Sequence, residues 1–128
     1  MNNVLLVMVG GALGSVARYG LGQYLSNRGL NSAWPLGTFV ANVVGGLLMG
    51  VLMALLIGPL KGDGERLRLL LGVGVLGGFT TFSSFSLETV QMLERRDYLQ
   101  AMAYAGLSVV LSVFAVFVGM MIVRKVAA

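Results

Sequence analysis

The sequence predicts an all-α integral membrane protein with four transmembrane helices, the third of them broken near its middle. Hydrophobic residues make up 57% of the 128 residues, and the mean hydropathy is +0.88, which is too high for a typical soluble domain. The charges cluster between four long apolar runs, each close to the ~20 residues needed to cross a bilayer core. Residues 1–128 are therefore one four-helix domain, with predicted spans at about 4–25, 36–57, 67–87 and 99–123.

The composition argues against an enzyme. The chain has no cysteine and no histidine, so it lacks thiol chemistry, the commonest general base and the commonest metal ligand. The net charge of +4 does not indicate a nucleic-acid partner, because the basic residues lie at the ends of apolar runs. Solvated flanks and lipid headgroups explain them.

The first span carries Gly10, Gly14 and Arg18 on one helical face. The glycines favour close helix packing. Arg18 lies about 21 Å along the helix from Val4, roughly 9 Å short of the far side of a ~30 Å core. It is either an interfacial anchor that reaches the surface or a charge that attracts anions at a vestibule, and its place on the glycine face slightly favours the vestibule.

A short polar loop, 27–34, precedes the second span, and Pro35 suits that helix's first turn. Thr38 and Asn42 share a face of this span. Because an amide exposed to lipid is costly, Asn42 must meet a partner. An interhelical hydrogen bond and an ion ligand both remain open, with the ion ligand favoured.

The third span contains GVGVLGGFTTFSSFS, residues 72–86, which we interpret as the functional centre. Glycines weaken a helix, and hydroxyl side chains offer the backbone alternative hydrogen bonds. We therefore expect an interruption at Gly77–Gly78. In hydrocarbon such a break survives only where it is buried in protein or lines a polar cavity.

The fourth span places Tyr104, Ser108 and Ser112 at i, i+4 and i+8. Three hydroxyls on one stripe of an apolar helix predict a polar track. A lone serine usually bonds its own backbone, but three in line are harder to dismiss.

The charges leave the orientation in the membrane open. With four spans, five basic residues lie on one side and three or four on the other, depending on where Arg18 reaches. Orientation follows the Lys/Arg excess, so a chain this balanced can insert both ways. An inverted, dual-topology homodimer could then build a midplane site from two broken helices.

The predicted inward groups suit a small, hard anion because they are mostly neutral donors. Phe82 and Phe85 lie three residues apart, and aromatic edges carry positive potential. Ordinary core packing of these rings is the alternative, and spacing alone favours it. Carbonyls freed by the break could bind a cation on the dimer axis, holding the two breaks together.

Three segments resemble the CrcB/Fluc family of fluoride channels. They are GGALGSVARYG (10–20), GTFVANVVGG (37–46) and GVLGGFTTFSSFSLE (74–88), in family order across nearly the whole chain. The resemblance implies a dual-topology homodimer with two fluoride pores and a central sodium ion. It also implies passive export of fluoride across the cytoplasmic (inner) membrane of a bacterium, and hence fluoride resistance.

The resemblance also implies roles for individual residues. Gly77 and Thr80 would supply the carbonyls that bind sodium. Asn42, Phe82, Phe85, Tyr104, Ser108 and Ser112 would line the fluoride pore. Arg18 matches a first-helix arginine near the aqueous vestibule, whereas Thr38 and Glu88 match positions less securely tied to ion contact.

Two other functions remain. A proton-coupled small multidrug exporter of dual topology would need a titratable group deep in the membrane, and Glu88 is the only candidate. A non-transporting membrane assembly protein would leave the aligned donors and the glycine-rich break unexplained.

Overall fold

The computed structural model describes residues 2–30 and 34–127, which form a bundle of helices. α1 spans Asn3–Asn27 and α2 spans Leu36–Ile57. A 3₁₀ turn, Lys61–Asp63, leads into α3, residues 64–79. α4 spans Phe82–Glu94 and α5 spans Tyr98–Ala127. The predicted loop at 27–34 includes residues 31–33, which lie outside the described residues, and Pro35 directly precedes α2 instead of opening its first turn.

Four stretches are long and apolar enough to cross a membrane. They are Asn3–Asn27, Leu36–Ile57, Lys61–Glu94 and Tyr98–Val126. The third stretch contains both α3 and α4, which are separated by two extended residues. The predictions of four apolar helices and of an interrupted third helix are thus confirmed. The second stretch has the predicted bounds, whereas the other three run beyond the predicted spans, most of all the third.

The first half of the third span is mostly π-helical, which the sequence did not predict. α3 consists of an α-helical turn at Gly64–Leu67, a π-helix at Arg68–Leu76 and a last α-helical turn at Gly77–Phe79. Gly10 and Gly14 of α1 are buried against it, directly beside the carbonyl oxygens of Leu70 and Val75. The glycine face of α1 is therefore a packing surface for α3.

α2 and α5 approach each other closely because glycines lie where the two helices cross. A Cβ atom on Gly50 would collide with the carbonyl of Val116. In the same way, a Cβ atom on Gly119 would collide with the carbonyl of Leu47 and lie 2.9 Å from the Val51 nitrogen. Backbone contact of this kind is how membrane helices associate without a hydrophobic drive between them.

Two apolar clusters lie at opposite ends of the bundle. Leu52, Leu56 and Leu76 form one between α2 and α3. The other joins α4 and α5, and its buried members are Met92, Ala101 and Tyr104. The break in the third span lies between these two packed ends.

The outer surface of the bundle is strongly apolar. On α5 alone, Val110, Val113 and Phe114 are 63%, 67% and 58% exposed. Such a surface needs apolar surroundings, either lipid or another protein. Together with the four spans, it identifies a multi-pass membrane protein.

We predict that Gly119→Ala destabilises the bundle because its methyl group would enter the backbone of α2. Overpacking of this kind typically costs about 1–3 kcal/mol. Thermal unfolding of the purified protein in detergent measures the effect. Gly106→Ala in the same helix is the matched control, because a Cβ atom at Gly106 meets nothing within 4 Å. Equal melting temperatures for the two variants would contradict the close contact between α2 and α5.

Candidate functional site

The third span is interrupted at Thr80 and Thr81, whose backbones are extended, with φ/ψ of −85°/158° and −153°/124°. The expected position at Gly77–Gly78 is wrong, because both glycines remain helical. Thr80 ends α3 by bonding the Leu76 carbonyl twice, through its N–H at 2.9 Å and its hydroxyl at 2.8 Å. Thr81 begins α4 by accepting a hydrogen bond from the Ser84 N–H at 3.1 Å, as an N-cap does.

Asn42 of α2 holds the extended segment in place. Its Nδ2 donates to the Thr81 carbonyl at 2.9 Å, and its Oδ1 accepts from the Thr81 N–H at 2.8 Å. The amide therefore makes the interhelical hydrogen bonds that were one of its two predicted roles. The second hydrogen on Nδ2 takes no part in this pair of bonds and could donate to an ion. The role of Asn42 as an ion ligand stays a prediction.

Arg18 of α1 also contacts the break. Its Nε donates to the Gly78 carbonyl at 3.2 Å, and the side chain is half-buried. The guanidinium is thus bound to the last turn of α3. The glycine face of α1 points inward, as expected. A role of Arg18 at an aqueous vestibule stays a prediction.

Several carbonyls of the break remain available to a ligand. No side-chain or turn hydrogen bond among the described residues ends on the carbonyl of Gly77, Phe79 or Thr80. Gly77 is exposed on the surface of the single chain. Unwound backbone carbonyls and the C-terminal ends of half-helices are ligands that membrane transporters use for sodium, so this donor set fits such an ion.

A groove of about 420 Å³ opens beside the break. α2, the interruption, α4 and α5 all contribute to it. Its lining residues are Asn42, Gly45, Gly46, Met49, Thr80, Thr81, Phe82, Phe85, Ser108, Val109, Ser112, Val113 and Val116. The groove thus gathers five of the six residues assigned to the pore by resemblance, together with Thr80.

Ser108 and Ser112 of α5 are two of the polar residues that line the groove. Ser108 is only 5% exposed, and both hydroxyl oxygens are buried without a hydrogen-bond partner among the described residues. Buried hydroxyls are normally paired, so an unpaired one needs an explanation. Both residues line the groove, so their unpaired hydroxyls are candidate donors to a ligand there.

The two phenylalanines differ in their surroundings. Their ring centroids lie 5.7 Å apart, and the Phe85 ring also lies 5.4 Å from that of Tyr104. Phe85 thus packs against the second apolar cluster as well as lining the groove. Phe82 is 77% exposed, so ordinary core packing within one chain does not account for it.

Tyr104 stands apart from the two serines. Its hydroxyl donates to Oε1 of Glu88 at 3.0 Å, and Thr38 donates to Oε2 at 3.0 Å. This network joins α2, α4 and α5, and none of its members lines the groove. The structure therefore separates the predicted polar track into a hydroxyl bound to Glu88 and two serines on the groove.

Sequence reasoning missed the central part that Thr81 plays. A hydroxyl residue directly before a helix is an N-cap signal, and that signal was present. It also missed Gly45, where a Cβ atom would collide with the Thr80 side chain. No local pattern reveals this contact, because the two residues meet only in the folded bundle.

Comparison with known proteins identifies the family. The model described as "CrcB-like protein, Camphor Resistance (CrcB)" matches residues 5–120. The chain is 56% identical over 128 residues to the "Fluoride-specific ion channel FluC" of Caulobacter sp. (strain K31), covering 98% of each chain. It is 53% identical to the proteins of the same name from Caulobacter vibrioides (strain NA1000 / CB15N) and Phenylobacterium zucineum (strain HLK1), with full coverage. The chain belongs to the CrcB family.

Proposed function

We propose that this chain is the subunit of a fluoride-selective channel that exports cytoplasmic fluoride by passive electrodiffusion. Relatives that are 53–56% identical over nearly the whole length are named fluoride-specific ion channels. The structural observation that carries the proposal is the pair of buried, unpartnered hydroxyls of Ser108 and Ser112 on the groove beside the break.

The chemistry of the groove favours a small anion over a cation. Its lining contains no acidic residue, and Glu88 lies outside it. Serine hydroxyls and the second amide hydrogen of Asn42 can donate to an anion. The edge of an aromatic ring such as that of Phe82 adds positive potential. Hydrogen bonds to charged groups are about twice as strong as neutral ones, so these donors offset part of the cost of removing water from fluoride.

The proposed driving force is the membrane potential. Hydrofluoric acid is a weak acid that crosses membranes uncharged and releases fluoride inside the cell. A potential that is negative inside drives the anion out, with ~2.3 kcal/mol per charge per 100 mV. Export therefore needs neither a nucleotide nor a reacting group, and we place the protein in the cytoplasmic (inner) membrane of a bacterium.

We propose further that two inverted copies form the channel. The groove of a single chain is open, and Phe82 at its edge is largely exposed. A second copy of opposite orientation would cover both features, giving two equivalent pores. The balanced count of basic residues on the two sides permits such an arrangement.

The dimer axis is the proposed site of a structural sodium ion. The carbonyls of Gly77 and Thr80 would hold it, one set from each subunit, and sodium would supply a positive charge that stabilises the two breaks. These oxygens fit because no side-chain or turn hydrogen bond among the described residues ends on them.

We predict that proteoliposomes containing the purified protein release fluoride rapidly when potassium and valinomycin clamp the voltage, with equal pH on both sides. Chloride, measured in parallel, should stay inside. An ion-selective electrode records both. Equal passage of the two anions would refute selectivity. Dependence of transport on a pH gradient would favour the multidrug exporter, and no flux of either anion would favour a non-transporting assembly protein.

We predict that replacing both groove serines, Ser108→Ala with Ser112→Ala, lowers fluoride flux about tenfold or more, as expected when donors to a charged ligand are lost. Stability should be retained, because neither hydroxyl has a partner among the described residues. Ser86→Ala is the control, since that hydroxyl bonds the Phe82 carbonyl within its own helix. Wild-type flux in the double variant, with sound folding, would remove the serines from the ion path.

A further inference from the structure

Arg18 contacts the break through the inner nitrogen of its side chain. The bond to the Gly78 carbonyl comes from Nε, at 3.2 Å. Gly78 itself is pressed against α1, since a Cβ atom there would lie 2.6 Å from the Gly11 oxygen and 3.2 Å from the Ser15 nitrogen. The last turn of α3 is therefore fixed to α1 both by backbone packing and by this hydrogen bond.

The backbone carbonyls of residues 77–81 fall into two groups. Those of Gly78 and Thr81 are occupied, by Arg18 and by Asn42 respectively. No side-chain or turn hydrogen bond in the described part of the chain ends on the other three. Two side chains from two different helices thus occupy two of the five carbonyl oxygens in residues 77–81.

We propose that Arg18 is a positioning residue that restricts the cation site by occupying the Gly78 carbonyl. This inference rests on the sodium site of the proposed function. The number of coordinating carbonyl dipoles is one basis for discrimination between sodium and potassium. Releasing the Gly78 oxygen would add one potential ligand per subunit, which favours the larger potassium ion. On this account, Arg18 acts through its hydrogen bond and not through its charge.

Two substitutions separate the hydrogen bond from the charge. Glutamine carries its Nε2 at the same distance along the side chain as the Nε of arginine, so Arg18→Gln keeps a donor to Gly78 without the charge. Lysine carries a carbon atom at that position, so Arg18→Lys keeps the charge without the donor there. The corresponding substitutions of Arg28, which lies over the Tyr24 ring at the end of α1, are matched controls.

The readout is cation-dependent stability. Thermal unfolding of each purified variant is followed by the fluorescence of Trp34, the single tryptophan, during titration with sodium or potassium. A ligand that binds only the folded state raises its stability in proportion to its affinity and concentration. Fluoride flux is recorded on the same preparations.

We expect wild type, Arg18→Gln and both Arg28 variants to share one preference for sodium over potassium. In Arg18→Lys this preference should fall by about fivefold or more, at the lower end of typical coupling between sites. If Arg18→Lys does not fold, Arg18→Met, which also carries a carbon atom at that position, replaces it and should show the same loss of preference.

Three results would overturn the inference. The first is a normal preference in Arg18→Lys with a reduced one in Arg18→Gln, which would mean that the charge matters. The second is an unchanged preference in every variant, which would mean that the Gly78 carbonyl does not matter to the cation. The third is a wild-type protein that sodium does not stabilise. This result would also remove the sodium ion from the proposed function. The proposed fluoride transport would still be tested separately, by the flux measurement.

Discussion

The need to satisfy backbone groups in a bilayer governs this structure. A lipid core offers no water to an interrupted helix, so each exposed N–H or C=O must find a protein partner or face a polar cavity. At Thr80–Thr81 the chain meets this need from three directions. Thr80 bonds back to Leu76, Asn42 reaches from α2 to Thr81, and Arg18 reaches from α1 to Gly78. The positions of Arg18 in the first span and Asn42 in the second are thus explained by the break in the third.

The polar groups that remain have two distinct environments. Thr38 and Tyr104 both donate to Glu88, so this carboxylate is already bound by two hydroxyls and ties three helices together. The hydroxyls of Ser108 and Ser112 have no partner among the described residues, and both residues line the groove. We interpret the Thr38–Glu88–Tyr104 network as a structural link between helices. We interpret the two serines as candidate donors to a ligand that accepts hydrogen bonds. This division supports an anion in the groove without involving the carboxylate.

Much of this arrangement could be predicted from the sequence. The four apolar runs fixed the helices, and the glycine-rich stretch with its hydroxyls marked the third helix as interrupted. The exact position of the break could not be predicted from glycine content, because the hydrogen bonds of Thr80 and Thr81 decide it. The i, i+4, i+8 spacing of Tyr104, Ser108 and Ser112 predicted one continuous polar track, which the structure shows for the two serines only. Each step of four residues turns a helix by about 40°, so Tyr104 and Ser112 point about 80° apart. Tyr104 therefore reaches Glu88, whereas the two serines line the groove. No local sequence signal indicates this division or the π-helical winding of α3.

The most direct test is the backbone conformation of Thr80 and Thr81 in a lipid bilayer. Solid-state NMR of the isotopically labelled protein measures their Cα and Cβ chemical shifts, which report φ and ψ. The structure predicts extended-type shifts at these two residues, with helical shifts on both sides. Helical shifts running without interruption from Gly64 to Glu94 would contradict the break on which the groove, the proposed cation site and the proposed ion path all depend.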